Sequence, residues 1–241
     1  MATRTKTVEF VYDVDTTSLA ANTKRTFTGN TIYLPESSKT FRSVTLIATW
    51  GDDATAASSP TNWILGIKLG SASESTATVS DTVTNSGEAW SMRYRRDITS
   101  YFTTNWSGTS MAWEASVQQA TSATQNHSVK IVITYDYDDT TTTHVKTVRI
   151  PIESTRSLLT TSFQTIGGST AIPAIGGSYL PEASVTVRQV WLELWGNTGT
   201  NATTDFILGC RVNGGTTIDW WDEEAALNSG RWAYATIDIT A

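Results

Sequence analysis

The chain has 241 residues, of which 39% are hydrophobic and only 17% are charged, and its formal net charge is −6. This length suits one large domain or two ordinary ones. Basic residues cluster only at Arg93, Arg95 and Arg96, so the sequence argues against nucleic acid as a partner, because phosphates need a positive face. No stretch of the sequence is long and apolar enough for a membrane-spanning helix, so we expect no membrane partner either.

Strand patterns dominate the first half of the chain. Residues 7–14 alternate between apolar and other side chains, and residues 128–138 do the same. The apolar positions are Val8, Phe10, Tyr12 and Val14 in the first run, and Val129, Ile131, Ile133, Tyr135 and Tyr137 in the second. A period of two predicts antiparallel sheets with one buried face and one wet face.

Turn-rich stretches separate the strand patterns, in chain order at residues 51–60, 70–82 and 121–127. Between the last two of these, residues 95–106 (RRDITSYFTTNW) form the one segment that predicts a helical turn. Asp97 stands where a capping carboxylate would accept the first free N–H groups of that helix. Helix is therefore expected to be a minor component of the fold.

The second half of the chain repeats the first. The motif Tyr33-Leu34-Pro35-Glu36 recurs 146 residues later as Tyr179-Leu180-Pro181-Glu182, and Arg42 matches Arg188 at the same offset. Other matches follow the same order: TKTVEFVYDV (5–14) with VKTVRIPIES (145–154), NWILGIKLG (62–70) with DFILGCRVNG (205–214), and NSGEAW (85–90) with NSGRW (228–232). Ordered matches with slowly drifting offsets indicate an internal duplication.

We therefore divide the chain into a first copy, residues 1–142, and a second copy, residues 143–241. Each copy is predicted to be an antiparallel β-sandwich of the Greek-key or jelly-roll kind, so the fold class is all-β. The matched apolar positions should lie in the two cores, with Ile64, Leu65 and Ile67 in the first and Ile207, Leu208 and Cys210 in the second.

The second copy is predicted to be incomplete. Residues 95–99 (RRDIT) match residues 236–240 (TIDIT), but only the first copy continues, with two more strand patterns at residues 110–118 and 128–137. An unpaired sheet edge is costly and promotes association. We therefore expect the second copy to be completed from outside, by a longer native chain or by a strand from a neighbouring subunit.

Sequence motifs for catalysis are missing, since no nucleophile elbow, phosphate-binding loop or dinucleotide fingerprint occurs. The two histidines, His127 in a predicted loop and His144 at the joint between the copies, read as ordinary surface residues. Cys210 replaces Ile67 of the first copy, which favours a small buried hydrophobe over a nucleophile. We predict that the chain is not an enzyme and has no cofactor, and that these three side chains bind neither metal nor substrate.

Calcium stays open as an alternative ligand, because acidic residues cluster at predicted strand ends and this ion prefers six to eight oxygen ligands. Aspartates in turns also bond their own backbone, which explains the same pattern without a metal. The clusters are Asp13 and Asp15, Asp52 and Asp53, Asp136, Asp138 and Asp139, and Asp222, Glu223 and Glu224.

Four of the 10 tryptophans have no counterpart across the repeat: Trp106, Trp113, Trp220 and Trp221. Adjacent Trp220 and Trp221 would point to opposite faces of a strand, so one of them would be exposed. Broad aromatic surfaces with one polar edge serve either protein interfaces or glycan platforms. These four residues are the candidate contact residues for a protein interface, with glycan contact as the alternative.

The N-terminal segment MATRTKTVEF enters a strand directly, without the apolar run of a signal peptide. A threonine-rich, tryptophan-rich tandem sandwich without an export signal resembles, by architecture and composition, the surface proteins of tailed-phage virions, such as head decoration or fibre proteins. The resemblance implies a non-enzymatic virion structural protein, assembled in the host cytoplasm and displayed at the particle surface. Its implied partners are other copies of the chain and other virion or assembly proteins.

A second resemblance implies a different activity. Residues 95–102 (RRDITSYF) are similar to the helical-turn segment of jelly-roll sugar-binding modules. The alternative function is therefore carbohydrate binding, with surface glycans as partners of the exposed tryptophans.

Overall fold

The computed structural model describes residues 3–15, 24–52, 62–80, 91–119, 125–138, 140, 142–149, 185–198, 206–210, 218–223 and 231–238. Within these ranges the chain forms twelve β-strands in antiparallel pairs and one short helix, as the all-β prediction requires. The strands are β1 (Thr3–Asp15), β2 (Lys24–Tyr33), β3 (Thr40–Asp52), β4 (Asn62–Leu69), β5 (Ser75–Ser80), β6 (Ser91–Asp97), β7 (Ser110–Gln119), β8 (Gln125–Asp138), β9 (Trp191–Thr198), β10 (Phe206–Cys210), β11 (Ile218–Glu223) and β12 (Arg231–Asp238).

Two four-stranded sheets make up the first half, with strand orders β1-β8-β3-β6 and β2-β7-β4-β5. The first strand of this series pairs with the last, the second with the seventh, the third with the sixth and the fourth with the fifth. The β3–β8 and β4–β7 ladders then join these pairs into sheets. The same order results when one long antiparallel hairpin is rolled so that its successive segments alternate between two sheets.

The two sheets share one hydrophobic core. Alternate side chains of β1 and β8 point inward from the first sheet, and alternate side chains of β4 and β7 point inward from the second. The buried set includes Val8, Phe10, Tyr12, Ile131, Ile133, Tyr135, Leu65, Ile67, Trp113, Ala115 and Val117. Leu65 and Ile67 are therefore buried as predicted. Ile64 is only half-buried, because it lies between inward positions and points to the opposite face of β4.

The helix predicted around residue 100 is present as α1 (Thr99–Asn105). Asp97 lies one residue outside the N-cap position, yet its carboxylate accepts the backbone N–H of Thr99 at 2.9 Å. Fully buried Phe102 anchors the helix to the core, with its ring 4.8 Å from Phe41 and 5.1 Å from Trp106, centre to centre. In the part of the chain that is described, no helix has the length and apolarity needed to cross a membrane.

Two stretches predicted as turns contain strand. β5 lies inside residues 70–82, and β8 begins at Gln125, inside residues 121–127. In the described ranges β5 pairs with β4 alone. Its apolar residues Ala77 and Val79 alternate with Thr76 and Thr78, a period too short to stand out among the serines and threonines of this stretch. Residues 125–127 are paired because β3 is long enough to reach them, with Gly51 opposite Asn126. His127 is thus a strand residue, and its predicted loop position is wrong.

A glycine in the middle of β4 has a steric reason. A Cβ atom at Gly66 would lie 2.1 Å from the Ser116 hydroxyl and 2.3 Å from a Glu74 carboxylate oxygen. Ser116 donates a hydrogen bond to that same oxygen at 2.5 Å. The carboxylate therefore lies across β4 at a point where only glycine leaves room.

The described part of the second half contains two strand pairs, β9 with β12 and β10 with β11. The side-chain burial of Ile207, Leu208 and Cys210 on β10 lies outside the described residues. The expectation that the second copy is completed by a longer chain or by a neighbouring subunit lies outside the described residues, so it stays a prediction.

We expect Leu65→Ala to lower the free energy of unfolding by about 2–5 kcal/mol, because it leaves a cavity between the two sheets. Thr78→Ala on the exposed side of β5 is the matched control, with an expected change within about 0.5 kcal/mol. Chemical denaturation followed by tryptophan fluorescence measures both values. Equal stability of Leu65→Ala and the native chain would contradict this description of the core.

Candidate functional site at the joint between the two halves

The structure does not bring the four candidate tryptophans together. Trp113 is 1% exposed and contacts Tyr12 in the core, with 4.3 Å between ring centres. The prediction of a surface contact is therefore wrong for Trp113, because it occupies an inward position of β7. Trp106 is half-buried, stacks on Phe102 and donates from Nε1 to the Gly108 carbonyl at 3.2 Å.

Trp220 and Trp221 lie next to each other on β11. Trp221 is paired with Leu208, and Trp220 falls at the shift in register that follows this pair. Their side chains lie outside the described residues, so their interpretation as contact residues stays a prediction.

A buried ion pair lies where the two halves meet. Glu36 lies three residues after the end of β2 at Tyr33 and is fully buried, as is Leu34 of the same motif. One carboxylate oxygen of Glu36 forms a salt bridge with Lys6 of β1, and the other accepts the Tyr135 hydroxyl at 2.6 Å. The Lys6 ammonium also lies 4.7 Å from the ring centre of Tyr137. The Glu36 carboxylate is thus fully enclosed, and the Lys6 side chain beside it is 15% exposed.

Burial determines the protonation chemistry of this cluster. It lowers the pKa of Lys6 to about 8, because a cation is penalised when it leaves water. Burial raises the pKa of Tyr135 for the complementary reason, since it penalises the phenolate. Tyr135 therefore remains a hydrogen-bond donor to Glu36 at all ordinary pH values.

The same ion pair binds the backbone of the joint, residues 142–149. The N–H of Val145 donates to Glu36 at 3.2 Å, and Lys6 donates to the Val145 carbonyl at 2.6 Å. His144 places Nδ1 3.4 Å from the same Glu36 oxygen. Both backbone groups of Val145 are thus held by the two opposite charges of one buried pair.

The edge of β1 is covered by side chains from the second half. Thr147 accepts the N–H of Glu9 at 2.9 Å. The Gln189 amide accepts the N–H of Val11 at 3.0 Å and donates to its carbonyl at 2.6 Å. These groups occupy the hydrogen-bonding positions that another strand would use, which protects an edge strand from uncontrolled pairing.

Charges reinforce this contact. The Arg149 guanidinium donates to both carboxylate oxygens of Glu9 at 2.7 Å, and Lys130 lies 3.6 Å from Glu9.

On the sheet face that points away from the core, three residues lie opposite one another and are buried: Val11, Lys130 and Ile47. Cα atoms of β12 approach those of β1, β3, β6 and β8 within 8 Å. β12 therefore packs against this outer face.

The arrangement is suited to binding a peptide segment, because Lys6 and Glu36 bond the backbone of Val145 and the Glu9 N–H donates to Thr147. Among the described residues, no group of three or more His, Cys, Asp or Glu side chains could hold a metal ion. Sequence reasoning missed Lys6 and Glu36 as site residues. The available signal was their recurrence as Lys146 and Glu182 at matching positions of the sequence repeat.

Comparison of the chain with protein-family models, with curated proteins and with solved structures found no match.

We expect Glu36→Gln to destabilise the chain by about 3 kcal/mol, because Lys6 then keeps a buried charge without its counter-ion. Glu114→Gln is the matched control, since Glu114 forms a 3.2 Å ion pair with Lys68 in which both side chains are more than a third exposed. Its expected cost is below about 1 kcal/mol. Urea unfolding curves compare the two variants, and equal effects would show that the buried pair is not a special contact.

A second charge contact predicts a dependence on acid. Hydrogen bonds from Arg42 and then Thr5 hold the pKa of Asp136 below its ordinary value of 3.8. A lowered carboxyl pKa stabilises the fold above the ordinary value, and this stabilisation is lost as pH falls through the folded-state pKa. Arg42→Ala should raise the pKa of Asp136 and weaken the fold at neutral pH, with the difference from the native chain shrinking in acid.

Carboxyl titration by NMR measures this pKa in both proteins, and thermal unfolding at neutral and acid pH measures the stability difference. The pKa of Asp97, lowered by its hydrogen bonds from Thr99, is the internal reference and should not move. An unchanged pKa for Asp136 would contradict the role given to Arg42.

Proposed function

We propose that the chain is a non-enzymatic structural protein of a virus particle, built from two jelly-roll units that arose by internal duplication. In this function it assembles with copies of itself and with other particle proteins at the particle surface. Decoration and fibre proteins are the kinds of virion component that we favour.

The strand order of the first half is the observation that carries this proposal. Sheets ordered β1-β8-β3-β6 and β2-β7-β4-β5 have the order of a jelly roll, an eight-stranded architecture used by viral capsid domains and by lectins. A fold by itself does not define a function, so the remaining support must come from particular contacts.

The strand pairs of the second half support the duplication. β9 and β12 pair with Trp191 opposite Asp238, as β3 and β6 pair with Thr45 opposite Asp97. β10 and β11 pair with Cys210 opposite Ile218, as β4 and β5 pair with Ile67 opposite Ser75. These partners are the ones that the sequence repeat equates, at offsets between 141 and 146 residues.

The joint supports a structural role. A particle protein must transmit force between its units, which a flexible linker does poorly. Here the segment between the two halves is held by a buried ion pair and by side chains that bond to the edge of β1. The two halves are therefore fixed to each other over several independent contacts.

Trp106 favours carbohydrate binding as the second candidate. Its ring is half-buried and stacks on Phe102 at an interplanar angle of 12°. An aromatic ring held rigidly with one exposed face is the kind of platform on which a sugar ring stacks. Surface glycans of a host cell are the partners that this activity implies.

Two measurements on the purified chain test these candidates. Light scattering after size-exclusion chromatography, over a wide range of concentration, should show association into species larger than one chain, and electron microscopy should show regular particles or filaments. A strict monomer at the highest concentration counts against the structural role. Screening on a glycan array tests the alternative, with Trp106→Ala as the variant that should lose binding and Trp113→Phe, a core change, as the control.

A further inference from the structure

We propose that the edge of β1 and the segment Val145–Arg149 form a self-recognition surface that is exchangeable between molecules. In this contact, the segment of one molecule docks on β1 of a second copy of the chain, so that the second half of each molecule is held by the first half of its neighbour. The inference rests on the proposed function only in that a particle concentrates many copies, and its test needs no particle.

The contacts define a surface that recognises this segment specifically. Lys6 and Glu36 bind the two backbone groups of Val145, and the Glu9 N–H is accepted by Thr147. Val145 also packs against the hydrophobic core of the first half. A polar joint between two domains requires none of this, because short linkers are usually held by few contacts across the boundary.

Charge complementarity identifies a second copy as the occupant. The repeat equates Glu9 with Arg149, since TKTVE (5–9) matches VKTVR (145–149). These two equivalent positions carry opposite charges, and they are the residues that pair with each other, through two bonds of 2.7 Å. A first half therefore attracts a second half, whereas two first halves would bring glutamates together and two second halves would bring arginines together.

The tether between β8 and Val145 decides when exchange occurs. Residues 139–144 include four consecutive threonines, Thr140–Thr143, so a short polar connection joins the segment to β8, the strand that pairs with β1. Such a tether gives the internal contact an effective concentration in the millimolar range. Exchange then requires either crowded neighbours, as in a particle, or a weakened internal contact. Reciprocal exchange between two molecules closes a dimer, and one-directional exchange gives a ring or a filament.

A charge-reversal experiment tests the proposal. Glu9→Arg and Arg149→Glu each place like charges at the joint within a single chain. When the two variants are unfolded, mixed and refolded together, the arginine introduced in one chain meets the glutamate introduced in the other, and the native Glu9 and Arg149 meet across the same dimer. Native mass spectrometry with different tags on the two variants should then detect mixed dimers at about tenfold or more over either variant alone, as expected for a hydrogen-bonded charge pair.

Two controls make the result specific. The doubly reversed chain, Glu9→Arg with Arg149→Glu, restores opposite charges at positions 9 and 149 within one molecule and should form no mixed dimer. It should be less stable than the native chain, because Glu9→Arg also replaces the carboxylate that lies 3.6 Å from Lys130. Lys68→Glu mixed with Glu114→Lys reverses an exposed pair elsewhere in the first half and should give no mixed dimer.

The outcomes are distinct. Mixed dimers that form from the Glu9→Arg and Arg149→Glu variants, and not from the Lys68→Glu and Glu114→Lys variants, support the proposal. They do so even if one variant fails to fold when it is refolded by itself. Failure of the mixture to form them, while the doubly reversed chain still folds, overturns it. Mixed dimers of the two variants, with a native chain that stays a monomer at the highest concentration, would leave this inference standing and count against the proposed virion function.

Discussion

A carboxylate buried at Glu36 is the constraint on which the arrangement of the two halves depends. Removing a charge from water costs several kcal/mol unless partners replace the lost hydration. The replacements here are Lys6, the Tyr135 hydroxyl and the Val145 N–H, which lie 30, 99 and 109 residues from Glu36 in sequence. The charge is therefore tolerated only after β1 has paired with β8 and the joint has docked.

Closure of the sheet and placement of the second half are coupled through this requirement. β1 brings Lys6, and its outer edge at Glu9 and Val11 is bonded by Thr147 and Gln189. An edge strand left open would expose backbone donors to any other strand. The second half thus covers the edge of β1, and the same hydrogen bonds fix its position on the first half. This mutual dependence explains why the joint is polar in sequence yet partly buried in structure.

The two matching segments of the sequence repeat differ in charge at one position of the joint. Lys6 recurs as Lys146 and Thr7 as Thr147, but Glu9 recurs as Arg149. Like charges at these two positions would repel each other, whereas Glu9 and Arg149 form an ion pair in which one guanidinium nitrogen donates to both carboxylate oxygens. At this position a contact between a first half and a second half is therefore favoured over a contact between two like halves.

Local chemistry was readable from the sequence alone. The period of two predicted β1 and β8, Asp97 marked the start of α1, and the matched apolar motif predicted the burial of Leu65 and Ile67, since each of these depends on residues close together in the chain. The internal repeat was also visible, because it is a property of residue order and needs no coordinates. Expectations about the completion of the second copy concern residues outside the described ranges.

Only the tertiary structure decided the features that depend on distant pairing. β5 carries an alternation of only two apolar residues, Ala77 and Val79, and is held as a strand by its ladder with β4. Trp113 is buried because the rolled hairpin places it against Tyr12. The strand order itself follows from long-range ladders that no local pattern encodes. The charges of Lys6 and Glu36 gave no local sign of burial either. Their environment is assembled from strands and a joint far apart in sequence, and a side chain's solvation is fixed by what finally surrounds it.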